Sequence, residues 1–366
     1  MGRNLRPARE LEARGQVAVS SIPAPEIRPF AGPADYARMA DVYAACVPVD
    51  GLDEVMTIED FAHFVENPVG FDPAHDLLLA QLEGGVVGYG WASHRVEAAG
   101  DRAERPVGDR AERPVGDEIH MLRVYIHPAR RRQGLGSALL DRIQARSRQW
   151  DSRPPGERAA YLQTFVSDTE ADGLAFFPSR GFVPVRYAFK MERDLRTPVP
   201  SLPLPPGLEL RPAAESHDRA IWEAQREAFQ DHWGYTPWTE EHFQRFTSYP
   251  HYDRSLWRVA WEGDQVAGMV LSYINPEENR QYRRLRGYTE DIAVRRPWRR
   301  RGLASALIAR SLTALQERGM AEAALSVDAE NPTGALRVYE RLGYHPVKQW
   351  TVFRRPLDPA SIAAGR

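Results

Sequence analysis

Two nearly identical phrases rich in arginine and glycine constrain this chain more than any other feature. RRRQGLGSALL begins at Arg130 and RRRGLASALI begins at Arg299, and the equivalent residues Arg131 and Arg299 lie 168 positions apart (299 − 131). Around each phrase the residue pattern predicts the same order of elements: a short strand, two helical stretches, three strands, a long helix that the phrase opens, a strand, a short helix and a last strand. The sequence therefore predicts one α/β domain that occurs twice.

Proline-rich and charged stretches mark the limits of the two predicted domains. The segment RTPVPSLPLPPG, which runs from Arg196 to Gly207, places prolines where neither a helix nor a central strand could continue. The eight residues GDRAERPV occur at Gly100 and again at Gly108, and we expect this duplication to lengthen a solvated loop. The predicted divisions are an N-terminal tail at 1–25, a first domain at 26–195, a linker at 196–206, a second domain at 207–356 and a C-terminal tail at 357–366.

Composition and charge exclude several classes of protein. The net charge of −2 over 366 residues offers no general attraction for nucleic acid or for an anionic membrane. A single cysteine, Cys46, excludes an intramolecular disulfide framework and a multi-cysteine metal site. No apolar run reaches the roughly 18 residues that span a bilayer, and the first residues lack the apolar core of a signal peptide. We therefore expect a cytoplasmic protein without metal, nucleic acid or membrane as partners.

Each repeated phrase has the features of an anion cradle. It follows a strand and opens a helix, so backbone N–H groups and the positive end of the helix dipole converge there, with arginines around them. The spacing Arg-x-x-Gly-x-Gly/Ala differs from the dinucleotide fingerprint and from the nucleoside triphosphate loop. A solvated arginine face or a nucleic-acid contact are the alternatives, but neither explains the glycines. The phrases therefore predict a pyrophosphate site.

This strand, phrase and helix, together with NPTGALRVYERLGY from Asn331 to Tyr344, resemble the GNAT superfamily of acetyl-coenzyme A-dependent N-acetyltransferases. The resemblance covers both halves and implies an α/β (α+β) fold of two tandem GNAT domains, each a splayed mixed, mostly antiparallel sheet flanked by helices. It also implies acetyl-CoA as co-substrate, with its pantetheine arm paired to the backbone of the strand before each phrase. The coenzyme-binding residues that it implies are Ile292, Ala293, Val294, Arg299, Arg300, Arg301, Gly302, Leu303, Ala304, Ser305 and Asn331 in the second half, and Val124, Tyr125, Ile126, Arg131, Arg132, Gln133, Gly134, Leu135, Gly136 and Ser137 in the first.

Two residues of the second half are the catalytic candidates. Amide formation requires an amine without its extra proton, and Glu290, nine positions before Arg299, resembles the catalytic glutamate of family members that acetylate polyamines. The alternation of a strand should turn the adjacent Asp291 to the opposite face. Tyr339 stands where the family's general-acid tyrosine stands, and it would protonate the departing thiolate. The alternative for Glu290 is an exposed carboxylate on a strand, and the alternative for Tyr339 is a tyrosine of the core.

The first half departs from this pattern. Leu122 lies nine positions before Arg131, Phe177 replaces the tyrosine and Thr169 replaces the asparagine. His120 is the one possible substitute base there, although a structural histidine is the alternative. We therefore expect the first half to bind coenzyme or to act as a scaffold, an asymmetry that resembles mycothiol synthase-like tandem proteins.

The segment FQDHWGYTPWTEEHF of the second half predicts the acceptor site. It provides His232, Trp233, Tyr235, Trp238 and Glu241, of which the first three are the candidate substrate-binding residues, because aromatic side chains with a few polar groups suit a small polar amine. The alternative is that Trp233 and Trp238 belong to the core. We expect direct transfer to the primary amine of a small molecule in a ternary complex, by a monomer or a homodimer. A non-catalytic acetyl-CoA sensor and a nucleic-acid-associated protein are the competing hypotheses.

Overall fold

The computed structural model describes residues 25–98, 116–150, 159–331 and 334–358. The duplicated GDRAERPV segment lies outside these residues, and so do all but residues 25, 357 and 358 of the two predicted tails. Strands and helices in the described part follow the same order in both halves, apart from one short helix in each. The first half contains β1 (Glu26–Pro29), α1 (Ala34–Asp50), α2 (Ile58–Glu66), α3 (Pro73–Asp76), β2 (Leu77–Leu82), β3 (Gly85–Val96), β4 (Glu118–Ile126), α4 (Leu135–Trp150), β5 (Ala160–Ser167), α5 (Ala171–Ser179) and β6 (Val183–Asp194). The second half contains β7 (Glu209–Arg211), α6 (Asp218–Ala228), α7 (Glu240–Thr247), β8 (Arg258–Glu262), β9 (Gln265–Tyr273), α8 (Pro276–Tyr282), β10 (Arg286–Val294), α9 (Leu303–Glu317), β11 (Glu322–Asp328), α10 (Ala335–Arg341) and β12 (His345–Pro356).

All twelve described strands form one continuous mixed sheet. Its order is β1-β2-β3-β4-β5-β12-β6-β11-β10-β9-β8-β7, so the second half runs through the sheet in the reverse direction to the first. Two pairs are parallel, β4 with β5 and β10 with β11, and the other pairs are antiparallel. The predicted mixed, mostly antiparallel α+β architecture is confirmed.

The last strand of each half is built into the sheet of the other half. β12 pairs with β5, where Phe353 faces Thr164, and β6 pairs with β11, where Met191 faces Leu325. β6 and β12 also pair with each other at the centre of the sheet. The two halves therefore exchange their final strands, so the predicted domains 26–195 and 207–356 are not separate sheets.

Helices cover both faces of the sheet in each half. α4 buries Leu139, Leu140 and Ile143 on one face of the first half, and α9 does the same in the second half. α1 and α6 cover the opposite face. Cys46 on α1 is fully buried, and burial raises the pKa of its thiol to about 11, so it is a structural residue rather than a nucleophile.

Capping interactions fix two short helices that become important for the site. Thr57 and Asp60 form a reciprocal capping box at the start of α2, with N···O distances of 2.8 and 3.1 Å. At the start of α7, the backbone N–H of Thr239 donates to Nδ1 of His242 at 3.0 Å. These bonds set where α2, from the first half, and α7, from the second, begin.

Candidate active site

The central strands of each half separate partway along their length. β10 and β11 pair only from Arg286 and Glu322 to Tyr288 and Ala324, although both strands continue for several residues beyond. In the first half, β4 and β5 stop pairing after Met121 and Gln163. The predicted splay is confirmed in both halves. Past these points, the edge of each strand that faces the gap has no strand partner in the described structure, so its backbone groups can pair with an extended ligand.

The two arginine–glycine loops adopt the same backbone conformation. φ is 61° at both Arg132 and Arg300, and it is 83° at both Gly134 and Gly302. A Cβ atom built on either glycine would contact nothing within 4 Å, so the left-handed backbone, rather than lack of space, requires glycine there. Left-handed non-glycine residues are strained and tend to occur at ligand sites. Both loops end at the first turn of a helix, α4 or α9, as an anion cradle requires.

The arginines of the two loops differ in their ion pairs. Arg131 contacts Asp50 at 2.6 Å and Asp172 at 3.2 Å, and Arg132 also pairs with Asp172. In the second loop Arg299 pairs with Asp231 at 2.6 Å. Arg300 and Arg301 are exposed, and no carboxylate among the described residues pairs with them. The second loop therefore has two free guanidinium groups, whereas the first is largely neutralised.

A cavity of about 410 Å³ lies beside the first loop. Of the coenzyme-binding residues predicted in this half, all but Gln133 line it, and Gln133 is exposed nearby in the same loop. Asp50, Glu170 and Asp172 line it as well. The structure thus brings the predicted residues together, along with three carboxylates that the sequence analysis did not identify.

A β-bulge interrupts β10 at the candidate base. Glu290 faces Leu271 and Ala293 faces Met269, so Asp291 and Ile292 together face one residue of β9. Asp291 has a φ of 49°, in the left-handed region. The expectation that alternation turns Asp291 to the opposite face is wrong, because the extra residue breaks the alternation and both carboxylates line the same cavity.

The environment of Glu290 favours its protonated form. Its carboxylate is half-buried at the cavity wall, and its Oε1 accepts a hydrogen bond from the backbone N–H of Ser326 at 3.1 Å. Burial, with a smaller contribution from the charge of Asp291, raises the pKa of Glu290 to about 8. Burial also raises the pKa of Asp291 to about 6, although a hydrogen bond from Gln225 opposes this shift. A carboxyl with a pKa near neutrality is suited to accept a proton in catalysis.

Tyr339 lies on α10 and is buried in the core of the second half, near Glu290. Burial, followed by the charge of Glu290, raises the pKa of its phenol, which therefore keeps its proton at neutral pH. Its ring packs edge-on against Tyr344, with centroids 6.2 Å apart. Tyr344 is anchored by a 2.6 Å hydrogen bond with Thr289 on β10. Asn331, the last described residue before 334, donates its backbone N–H to the carbonyl of Asp328 at 3.2 Å.

The corresponding positions of the first half lack these groups. Phe177 is 7% exposed, the same fraction as Tyr339, and it packs between Phe176 and Phe182. The Thr169 hydroxyl lies 2.9 Å from that of Ser167. The predicted replacement of the phenol by a phenyl ring in an equally buried position is thus seen in the structure.

Strand register identifies a different counterpart of Glu290 from the one that residue counting predicts. The pairing between β3 and β4 continues without a bulge, and Arg123 faces Trp91. Trp91 in β3 corresponds to Leu271 in β9, because each lies three residues after an equivalent glycine, Gly88 or Gly268. A Cβ atom added to either glycine would lie 2.8 Å from a backbone carbonyl oxygen of the next strand. By register, Arg123 of the first half therefore occupies the position that Glu290 occupies in the second half. Leu122, identified by counting, is fully buried.

His120, the alternative base of the first half, does not line the first-half cavity. Its Nε2 lies 3.3 Å from Glu118, and its ring stacks on Trp150 with centroids 5.7 Å apart. It precedes the point at which β4 and β5 separate. These contacts support the structural interpretation of His120.

Residues from both halves line a cavity of about 720 Å³ that contains Glu290 and Asp291. The second half contributes an aromatic wall, and the first half contributes α2 and the segment before it. Lys190 on β6 and Trp350 on β12 lie where the exchanged strands meet it. The remaining lining residues are Glu54, Val55, Met56, Asp60, His63, Phe64, Trp222, Trp238, His242, Arg245, Phe246, Tyr249, His251, Tyr252, Trp257, Leu271, Ser272, Tyr273, Asn275, Glu278, Tyr288 and Ser326.

The predicted substrate-binding residues do not line this cavity. His232 stacks on Phe229, with centroids 4.3 Å apart. Trp233 lies against the guanidinium groups of Arg186 and Arg354, and the carbonyl of Tyr235 accepts a hydrogen bond from Ala98. Among the residues that the sequence offers for the acceptor wall, Trp238 does line the cavity, and His242 from the same segment lies beside it in the lining. His232, Trp233, Tyr235 and Glu241 of this segment lie outside the lining of this cavity.

No group of three or more histidine, cysteine, aspartate or glutamate side chains among the described residues could hold a metal ion. None of the described helices is long and apolar enough to cross a membrane.

Comparison with known proteins relates both halves to acetyltransferases. A family model for the GNAT acetyltransferase family matches residues 219–344, and a model for a GNAT acetyltransferase domain matches residues 73–184. A mycothiol acetyltransferase of Thermomonospora curvata is 27% identical over 223 residues, which cover 60% of this chain and 69% of the relative.

Solved structures share the tandem arrangement. The GCN5-related N-acetyltransferase from Sphaerobacter thermophilus is 27% identical, with a TM-score of 0.64 over 92% of this chain and 96% of that one. A tandem GNAT protein from the clavulanic acid biosynthesis pathway has a TM-score of 0.63 at 17% identity, covering 92% of this chain and 99% of the other. The second likeness shows the fold alone.

Proposed function

We propose that the second half of this chain transfers an acetyl group from acetyl-CoA to the primary amine of a small molecule. The chain belongs to the GNAT family of acetyltransferases and is a tandem N-acetyltransferase, similar to mycothiol acetyltransferases. One observation carries this proposal. Glu290, a carboxyl whose pKa lies near neutrality, lines a large cavity at the bulge where the central strands separate. The acceptor amine must lose a proton at this place.

The residues of the second half divide the chemistry between them. Acetyl-CoA supplies the acetyl thioester. Glu290 accepts the proton of the amine, directly or through a water molecule, so that the nitrogen lone pair can attack the thioester carbonyl in a ternary complex. Backbone groups of Ile292, Ala293 and Val294 hydrogen-bond the pantetheine arm and polarise that carbonyl. Tyr339, which holds its proton at neutral pH, donates it to the departing thiolate.

The loop of the second half fits a pyrophosphate better than the loop of the first. Its helix N-terminus and left-handed Arg300 and Gly302 form the cradle, and the guanidinium groups of Arg300 and Arg301, which pair with no described carboxylate, supply charge. Leu303, Ala304 and Ser305 form the first turn of α9 at its base. In the first half, coenzyme phosphates must compete with Asp50 and Asp172 for Arg131 and Arg132. We therefore propose that the second loop binds acetyl-CoA more tightly.

The first half acts in this proposal as a wall of the acceptor site rather than as a second catalyst. It lacks the bulge, the carboxylate and the phenol, but it contributes α2 and the preceding segment to the cavity around Glu290. Its exchanged strand β6 also provides Lys190. The cytoplasmic location and the oligomeric state stay predictions.

The proposal is tested by thiol release from acetyl-CoA with a panel of amines that includes polyamines, amino sugars, cysteinyl conjugates and peptide N-termini. Wild type is compared with Glu290→Gln and Tyr339→Phe, and each protein is checked for coenzyme binding by calorimetry. Release that depends on one class of amine and falls sharply in both variants, with coenzyme binding retained, supports the proposal. Coenzyme binding without release from any amine would contradict it and favour the acetyl-CoA sensor.

A further inference from the structure

Arg245 is a cation without a counter-charge in the wall of the acceptor cavity. It lies on α7, and its guanidinium stacks on Phe64 of the first half, with 5.2 Å between Cζ and the ring centroid. No carboxylate in the described part of the chain forms an ion pair with it. The other basic side chain of the lining besides the histidines, Lys190, contacts both carboxylate oxygens of Asp53 at 2.8 Å. Apart from the histidines, Arg245 is therefore the basic side chain of this lining that has no ion pair among the described residues.

Two imidazoles beside Arg245 are neutral at neutral pH. Burial lowers the pKa of His63 and of His242, and the charge of Arg245 lowers both further. The Nδ1 of His242 accepts the backbone N–H of Thr239, so Nε2 carries the proton of the neutral ring and is a donor. His63 Nε2 lies 3.1 Å from the hydroxyl of Ser248. The guanidinium of Arg245 and the neutral imidazole of His242 therefore present one positive charge and several N–H donors to a ligand.

A half-buried guanidinium that is removed from water without a partner is unfavourable unless a ligand supplies an anion. Five carboxyl groups line the cavity elsewhere, so each further negative charge on a ligand adds repulsion, and the guanidinium of Arg245 offers a local partner for one negative charge rather than two. Acetyl-CoA brings its phosphates to the arginine–glycine loop, which does not line this cavity. The ligand at Arg245 is therefore part of the acceptor.

We propose that Arg245 binds a carboxylate of the acceptor, so that the substrate is an amine that also carries a carboxylate. The inference rests on the proposed acetyl transfer at Glu290 and adds the class of acceptor. The planar guanidinium can hold both oxygens of the carboxylate, and the amine then extends toward Glu290. Arg245 in this role selects the acceptor and does not take part in the proton transfers.

Matched acceptors test the proposal in the full-length protein. A series of ω-amino carboxylates of increasing chain length is compared with the n-alkylamines of the same length, which lack only the carboxylate. We expect kcat/KM to favour the best carboxylate by about tenfold or more over its alkylamine, the scale of one charge-assisted hydrogen bond. Arg245→Gln should raise KM for that carboxylate by a similar factor, leave kcat unchanged and leave the alkylamine unaffected, and Arg245→Lys should recover part of the preference.

A matched variant separates recognition from packing. Arg226 stacks on Trp222 with the same 5.2 Å separation but does not line the cavity, so Arg226→Gln removes an equivalent contact and should not alter the preference. Equal kcat/KM for carboxylates and alkylamines in wild type, or an equal loss for both in Arg245→Gln, overturns the inference and leaves Arg245 a structural contact between the halves.

Calorimetry with N-acetylated ω-amino carboxylates, the products, tests the inference without turnover. Binding that weakens about tenfold in Arg245→Gln but not in Arg226→Gln supports the carboxylate site, even if no amine releases thiol and the proposed transfer fails. The carboxylate assignment is overturned if the products do not bind to wild type. It is also overturned if inorganic phosphate displaces the bound product more effectively than acetate does.

Discussion

The pH dependence of turnover provides the most direct test of Glu290. With a pKa of about 8, Glu290 is ionised in about one tenth of molecules at pH 7, half at pH 8 and nine tenths at pH 9. The proton acceptor must be ionised, so the contribution of Glu290 to kcat should rise about fivefold from pH 7 to pH 8 and about tenfold from pH 7 to pH 9. An ordinary exposed glutamate would already be fully ionised at pH 7 and would show no such rise.

The substrate amine also titrates, and the comparison with Glu290→Gln removes its effect. Amine ionisation changes both rates by the same factor, so the ratio of wild-type kcat to variant kcat reports Glu290 alone. The assay is thiol release at saturating acetyl-CoA and amine from pH 6 to pH 9.5. A ratio that stays flat across this range would falsify the assignment of Glu290 as the base.

Asp291→Asn is the matched control, since it removes the neighbouring charge and keeps the carboxyl of Glu290. Part of the raised pKa of Glu290 comes from Asp291, so the inflection should move to lower pH while most of the turnover at pH 9 remains. If Asp291→Asn loses as much activity as Glu290→Gln at every pH, Asp291 is the base instead.

Further predictions concern proton donation, coenzyme binding and stability. Tyr339→Phe should lower kcat by about two orders of magnitude with little change in coenzyme affinity, measured by calorimetry, whereas Phe177→Leu should lower the Tm and leave the turnover of the folded protein intact. Replacing Arg300 and Arg301 together by glutamine should raise the Kd for CoA about tenfold and reduce its salt dependence, and an unchanged Kd would exclude this loop as the phosphate site. The pKa of Glu290 in the folded protein exceeds its ordinary value of 4.5. Its favourable contribution to the free energy of unfolding is therefore complete below about pH 4.5 and is lost as the pH rises through about 8. Chemical denaturation should therefore show Glu290→Gln gaining stability over wild type, by up to about 1.4 kcal/mol for each pH unit in that interval, and a constant difference would contradict the raised pKa.

Local signals in the sequence were sufficient to predict the repeated elements and the two loops. The φ values of 61° and 83° recur in both loops because the same arginine–glycine spacing imposes the same turn, and spacing is directly visible in a sequence. Phe177 and Tyr339 were matched in the same way, through their distance from Gly181 and Gly343. Features that are set by the spacing of residues along the chain could therefore be predicted from the sequence.

The β-bulge could not be predicted, because it depends on pairing between strands. In both halves the compared position lies nine positions before the equivalent arginine, Arg131 or Arg299, and only the register with β3 or β9 shows the extra residue at Asp291. Counting therefore matched Glu290 with Leu122, whereas pairing matches it with Arg123. The same limitation affected Asp291, whose predicted orientation assumed an uninterrupted strand.

The exchange of final strands explains why the cavity that we propose as the acceptor site could not be located from one half alone. β12 lies between β5 and β6, so Trp350 of the second half is held against the first-half strand β5, where it faces Ser167, and still lines the cavity around Glu290. Lys190 on β6 is carried into the same wall by the reciprocal exchange and is fixed there by Asp53 of the first half. The first half thus completes both the sheet and the cavity around Glu290, and in the proposed mechanism it does so without a proton-transfer group of its own.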